Sequence, residues 1–214
     1  MLHVLTVEHS IVNDFLAEMR NVIVQHDRAR FRRNVERIGE IMAYEISKHL
    51  LRKIAYVNTP LGVHHSHVLK SQPVLATVLR AGIPMHQGFL NYFDNADSAY
   101  VSAYRKHSSL HEFEIVVEYL AAPDLTGKTL ILIDPMLATG RSILATYKAL
   151  LTNGKPAEVF VAALIGSTQG INYIQENMPE AKIFIAEIDT DLNAEHFIVP
   201  GLGDAGDLSY GGKL

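Results

Sequence analysis

The 214 residues carry 19 basic and 23 acidic side chains, a formal net charge of −4, with 48% apolar and 20% charged residues. That is an ordinary globular mixture, sized for one domain whose folding removes roughly 70% of the unfolded surface from water. With no cysteine, disulfides, thiolate metal sites and cysteine nucleophiles are excluded; no long basic run tracks a nucleic-acid backbone, and no apolar run nears the ~20 residues of a membrane span.

The opening "MLHVLTVEHS" lacks a basic-then-apolar leader pattern, so the expectation is a soluble cytoplasmic protein with neither nucleic acid nor membrane as partner. Helices are expected over 10–52. Within them Phe31, Val35, Ile38, Ile41, Met42, Ile46 and Leu50 recur at gaps of three and four, the mark of an amphipathic helix. The basic "RARFRRNVER" reads as that helix's solvated face. Residues 54–71 are irregular, with "NTP" and "HHSH", and suggest a β-hairpin arm. His65 and His67 would share a strand face. No nearby acid completes a metal set with them, so the arm reads as solvated or interfacial.

From Pro73 the pattern becomes regular. "PVLATVL" reads as a buried strand and "IPMHQGFLNYF" as a helix with Pro84 in its first turn. "SAYVSAYR", "EIVVEYL" and "TLILID" read as strands, and "SILATYKALLTNG" as a helix closed by Gly154. "EVFVAALIG" is strand, "TQGINYIQENM" helix and "AKIFIAEID" strand. Strands alternating with helices over 73–190 imply an α/β fold, a mostly parallel sheet with helices on both faces. Ligands of such sheets bind beyond the carboxyl ends of the strands. That rule singles out Arg80, Arg105, Asp134 and the residues after Ile188.

The turn after Asp134 runs directly into a helix. Free amide groups and the positive end of the helix dipole attract an anion there. Gly140 allows close backbone approach, and Thr139 and Ser142 bring hydroxyl donors. A carboxylate repels phosphate but accepts hydrogen bonds from a diol, so Asp134 beside such a turn suggests a ribose 5-phosphate. The same residues also make an ordinary helix cap, and the turn by itself leaves both readings open.

"LILIDPMLATGRS" resembles the phosphoribosyl-diphosphate motif of phosphoribosyltransferases. "DPMLATG", "VLRAGIPM", "AYR" and "FIVPGLGDAGD" together, in order and spacing, resemble the uracil phosphoribosyltransferase family over essentially the whole chain. The resemblance implies a phosphoribosyltransferase-type, Rossmann-like fold with a small β-arm and a C-terminal base-binding hood at 196–212. It implies transfer of ribose 5-phosphate from phosphoribosyl diphosphate (PRPP) to uracil, giving UMP and diphosphate, with Mg2+ as cofactor. PRPP would be held by Arg80, Arg105, Asp134, Pro135, Met136, Leu137, Ala138, Thr139, Gly140, Arg141, Ser142 and Asp204. Uracil would meet Ile198, Gly203, Asp204 and Ala205. Arg80, Arg105 and Asp204 would carry the catalytic roles, and Mg2+ would bind mainly through PRPP with Asp204 near it. A homodimer or higher homo-oligomer is implied, with the arm as contact; its size and activation by GTP are left open.

Two departures stand out. Arg141 occupies a place where the family usually carries a second glycine; were that position at positive φ, arginine would cost about 1 kcal/mol or more. Lys106, His107 and Ser108 follow Arg105 where the family typically has an acidic residue. They keep a rival in view: a nucleotide-sensing regulator or inactive relative on the same fold. The intact base-binding segment and acidic net charge argue for the enzyme.

Overall fold

A computed structural model describes residues 1–107 and 113–212. In chain order these form β1 (Leu2–Val4), α1 (Ile11–Arg20), α2 (Arg28–Ser47), β2 (Arg52–Thr59), β3 (Gly62–Leu69), β4 (Val74–Leu79), α3 (Ile83–Leu90), β5 (Asp97–His107) and β6 (Phe113–Ala121). There follow β7 (Thr129–Ile133), β8 (Met136–Leu137), α4 (Arg141–Leu150), β9 (Glu158–Ser167), α5 (Thr168–Asn177), β10 (Lys182–Asp189), β11 (Asp191–Leu192), β12 (Ile198–Val199) and α6 (Ala205–Tyr210).

The main sheet runs β1-β10-β9-β7-β4-β5-β6, with β8 also pairing β9. All its pairings are parallel except β5 with β6, which is antiparallel. This is the mostly parallel sheet that the alternating strands and helices predict. Its buried strands are apolar on both faces because helices cover both. Alternate residues of β7 separate cleanly: Ile131 and Ile133 join one core, Leu130 and Leu132 the other. Likewise Phe160, Ala162 and Leu164 of β9 face the core of α1, α2 and α3, while Val159, Val161 and Ala163 face that of α4 and α5.

The crossovers explain where a ligand would sit. From β4 the chain passes through α3 to β5 on one side. From β7 it passes through α4 to β9 on the other side, and on the opposite face. The sheet order therefore reverses between β4 and β7, where a crevice opens at the strands' carboxyl ends. The C-terminal segment reaches that crevice from the α1–α2 face, with Ile198, Leu202 and Ala205 buried in the same core as Phe31 and Met42.

β2 and β3 make a separate antiparallel ribbon from Arg52↔Leu69 to Thr59↔Gly62. Two features differ from the sequence reading. The short edge strand β1, parallel to β10, lies ahead of the first expected helix. Arg105 is not at a strand end: it lies inside β5, paired with Ile115 of β6, because these two strands continue past the sheet as an antiparallel ribbon with an irregularity at Ser102/Ala103. Ser108, one of the residues that depart from the family pattern, lies outside the described residues.

Candidate functional site

A cleft of about 440 Å3 occupies the β4–β7 crevice. One wall is the turn from Asp134 to Ser142. Asp134 is 8% exposed, its N–H donates to Ala162 O at 3.1 Å, and its Oδ1 accepts from Met136 N at 3.2 Å. These bonds fix the carboxylate at the end of β7. Gly140 then takes φ 74° as the residue before α4, a left-handed conformation that suits glycine. A Cβ there would lie 2.9 Å from Gly170 O and from the Tyr173 ring. The cap residue Gly140 has no side chain to bond α4; the Arg141 N–H donates to Thr139 Oγ1 at 3.4 Å, and Gly140 and Ser142 line the cleft at the positive end of the helix.

This settles the conformation of Arg141. It is the first residue of α4, exposed, and the positive φ belongs to Gly140 before it. The strain that a positive φ would bring to an arginine here does not arise.

The turn is braced from behind. Ser167 Oγ donates to Ala138 O at 2.6 Å and accepts from Gly170 N at 2.9 Å. A Cβ on Gly170 would stand 2.3 Å from Ala138 O and 2.6 Å from Leu137 O, so only glycine lets α5 come this close. Sequence reasoning misses both residues; a glycine early in a helix is the available signal.

The floor is the β4–α3 turn. The Leu79–Arg80 peptide is cis, and Arg80 lines the cleft. Gly82 packs so closely that a Cβ would clash with Thr77 Oγ1 and Val78 O and press on Ile133 O. Arg80 Nη2 donates to Asp207 Oδ1 at 3.0 Å and to Gly211 O at 3.2 Å.

The opposite wall is the C-terminal segment. Gly201 and Gly203 have φ 61° and 94°. Asp204 caps α6, its Oδ1 accepting from Asp207 N at 2.9 Å. His196, at φ 64°, and Phe197 also line the cleft. Neither stands out in the sequence; a turn residue with positive φ has no signature when it is a histidine.

The model of the uracil phosphoribosyltransferase family matches residues 6–212. The chain belongs to that family. A uracil phosphoribosyltransferase from Porphyromonas gingivalis is 54% identical over 97% of this chain and 96% of its own length. A solved protein from Aquifex aeolicus superposes with a TM-score of 0.87 at 28% identity, covering 99% of this chain and 98% of that one. A hypoxanthine phosphoribosyltransferase from Staphylococcus aureus shares the fold more loosely, with a TM-score of 0.50 and 13% identity over 86% of this chain and 84% of that one.

Within this uracil phosphoribosyltransferase fold, the cleft gathers Arg80, Asp134, Met136, Leu137, Ala138, Thr139, Gly140 and Ser142. Facing them are Ile198, Gly203, Asp204 and Ala205. Pro135 and Arg141 do not line it. Pro135 is buried, its carbonyl accepting from Leu164 N and Ile165 N, which ties the turn to β9. Arg105 stands on the β5–β6 ribbon. His64, His65 and His67 lie on the separate β2–β3 ribbon and do not line the cleft. Among the described residues no group of three or more His, Cys, Asp or Glu could hold a metal ion, and no helix is long and apolar enough to cross a membrane.

Proposed function

We propose that this chain makes UMP and diphosphate from uracil and PRPP, a step of pyrimidine salvage. The reading is carried by one juxtaposition: the start of α4 at Gly140, beside a buried carboxylate, faces a glycine-rich segment across the cleft. The phosphate of a ribose 5-phosphate suits the first, its hydroxyls suit Asp134, and a flat base suits the second.

In this reading the amide groups of Thr139 to Ser142, with the Thr139 and Ser142 hydroxyls, hold the 5-phosphate. Asp134 accepts from the ribose diol. Arg80 turns its forked donors to the diphosphate, with Arg105 of the ribbon as the second cation. Main-chain groups of Ile198, Gly203 and Ala205 read uracil's alternating carbonyls and N–H groups. Cytosine would set a donor against a donor and lose about 1–3 kcal/mol.

The C1–O bond to diphosphate breaks with oxocarbenium character at C1, the N1–C1 bond forms, and the N1 proton departs. Asp204, which lines the cleft, is the proposed candidate to receive it. Rate comes mainly from holding base and sugar in line and from donors aimed at the leaving group's charge. Mg2+ is the proposed cofactor: this hard cation keeps its waters and binds through one or two carboxylates plus substrate phosphates, and Asp204, which lines the cleft, would be such a carboxylate. When bound, Mg2+ would neutralise charge on the diphosphate.

The protein is proposed to work as a cytoplasmic homodimer or larger homo-oligomer. A lone two-stranded ribbon is marginally stable in water, and β2–β3 exposes Ile54, Tyr56, Leu61 and Val63. A second copy would cover them.

The test is product analysis with uracil, cytosine or hypoxanthine, each with PRPP and Mg2+. UMP from uracil alone is expected. Absence of UMP would favour the sensing or inactive relative, and salt-sensitive RNA binding would then point to a regulator.

A further inference from the structure

Three contacts, two from the α1–α2 corner and one from the end of β10, converge on two consecutive residues of the C-terminal segment, Gly201 and Leu202. Arg20 is the last residue of α1. Its Nη1 donates to Asp189 Oδ2 at 2.9 Å and to Gly201 O at 2.7 Å. Its Nη2 donates to Asp189 Oδ1 at 2.9 Å and to Glu187 Oε2 at 2.8 Å. Asp189, 6% exposed at the end of β10, accepts in turn from Gly201 N at 3.0 Å. Both sides of the Gly201 residue are therefore held by one ion pair. Gln25, with its amide oriented to satisfy both ends, donates to Leu202 O at 2.9 Å and to Met19 O at 3.0 Å.

The geometry leaves little slack. Gly201 sits at φ 61°, and a Cβ on it would stand 2.0 Å from Ile198 O. Leu202 is 4% exposed. Burial of the Arg20 guanidinium works against its charge, and the hydrogen bonds to Asp189 and Glu187 outweigh it, keeping its pKa above the usual arginine value. The next residues, Gly203 to Ala205, line the cleft.

We infer that Arg20 and Gln25 are positioning residues for the base: a clamp, anchored on Asp189, that sets where Gly203 and Ala205 present their main-chain groups. Glycines at positive φ supply the turn but also the freedom to leave it. Orientation is the main source of rate proposed for this site, and a displacement of about 1 Å can cost on the order of a hundredfold. The inference rests on reading Ile198–Ala205 as the base-binding segment.

Arg20→Lys keeps the charge beside Asp189 but loses the fork; Gln25→Leu leaves no buried charge behind. Each variant should raise the uracil KM, about tenfold for Arg20→Lys, while the PRPP KM stays within about twofold. Amide exchange read by mass spectrometry should quicken over residues 198–206 and not over 136–143, with no substrate present. Parent-like uracil KM values in both variants, equal rises in both KM values, or unchanged exchange over 198–206 would each overturn the clamp. A parent that makes no UMP would sink the base-transfer reading instead, and the exchange measurement would still decide the clamp.

Discussion

Arg80 Nη2 meets Asp207 Oδ1 at 3.0 Å, and this contact joins the end of β4 to α6 at the C-terminal wall of the cleft. The two side chains are 38% and 40% exposed, so solvent screens the pair and its contribution to stability is about 0–1 kcal/mol. Asp207→Asn should therefore leave the unfolding midpoint within a few degrees of the parent. Its PRPP KM should change by less than about threefold, because the arginine's own donors remain. Denaturation curves and steady-state kinetics check both. A PRPP KM as high as that of Arg80→Ala would mean that the pair, and not the arginine alone, is what PRPP requires.

Gly170→Ala tests the brace behind the turn from Asp134 to Ser142. Its Cβ would enter the space of Ala138 O and Leu137 O, both backbone atoms that cannot rotate away. A loss of about 1–3 kcal/mol is expected from the overpacking. The PRPP KM should rise while the uracil KM moves little, since the C-terminal wall is untouched. Kinetics with each substrate varied in turn separate the two.

His86 gives a pH dependence. It is 3% exposed and packs on Tyr100, with ring centroids 5.2 Å apart. Burial pushes its pKa below the ordinary histidine value of 6.5. The unfolded chain then binds more protons than the native one just below that value, so stability falls as the pH drops through about 6.5 toward the depressed value and recovers above it. Urea midpoints at several pH values should show this slope in the parent and a flatter one in His86→Leu. Equal slopes would contradict the assignment.

The β2–β3 ribbon makes a prediction about assembly. Ile54→Asp with Tyr56→Asp puts charge on side chains that are 57% and 72% exposed in a single copy. If a second copy covers them, sedimentation should show the oligomer dissociating, because buried unpaired carboxylates disfavour the contact. A parent already monomeric at micromolar concentration would contradict the proposed assembly.

Much of the sheet is legible in the residues themselves. The runs at 74–79, 129–133, 158–167 and 182–189 are apolar on both strand faces, which a parallel sheet between two helix layers demands. The turn from Asp134 to Ser142 is legible as a strand end, a tight turn and a helix start because a carboxylate and a glycine carry local chemistry. What escapes is nonlocal. Arg20 looks like any cation ending a helix until folding brings it to Gly201, 181 residues away. Ser167 and Gly170 look like a helix cap and a helix interior until α5 meets the turn. Arg105 reads as the end of a strand because the period-two pattern cannot tell a parallel strand's end from a ribbon that runs on. Arg141 raises a question of backbone strain that only the φ of its neighbour Gly140 answers.

Whether the crevice between β4 and β7 holds PRPP is decided by Asp134→Asn assayed beside Arg80→Ala. Asparagine keeps the shape of a side chain only 8% exposed while removing its charge; alanine removes the diphosphate's proposed partner. With uracil saturating, each variant is expected to raise the apparent PRPP KM about tenfold or more, to lower turnover, or both. If both variants form UMP with the parent's KM and turnover, the site is not in that crevice.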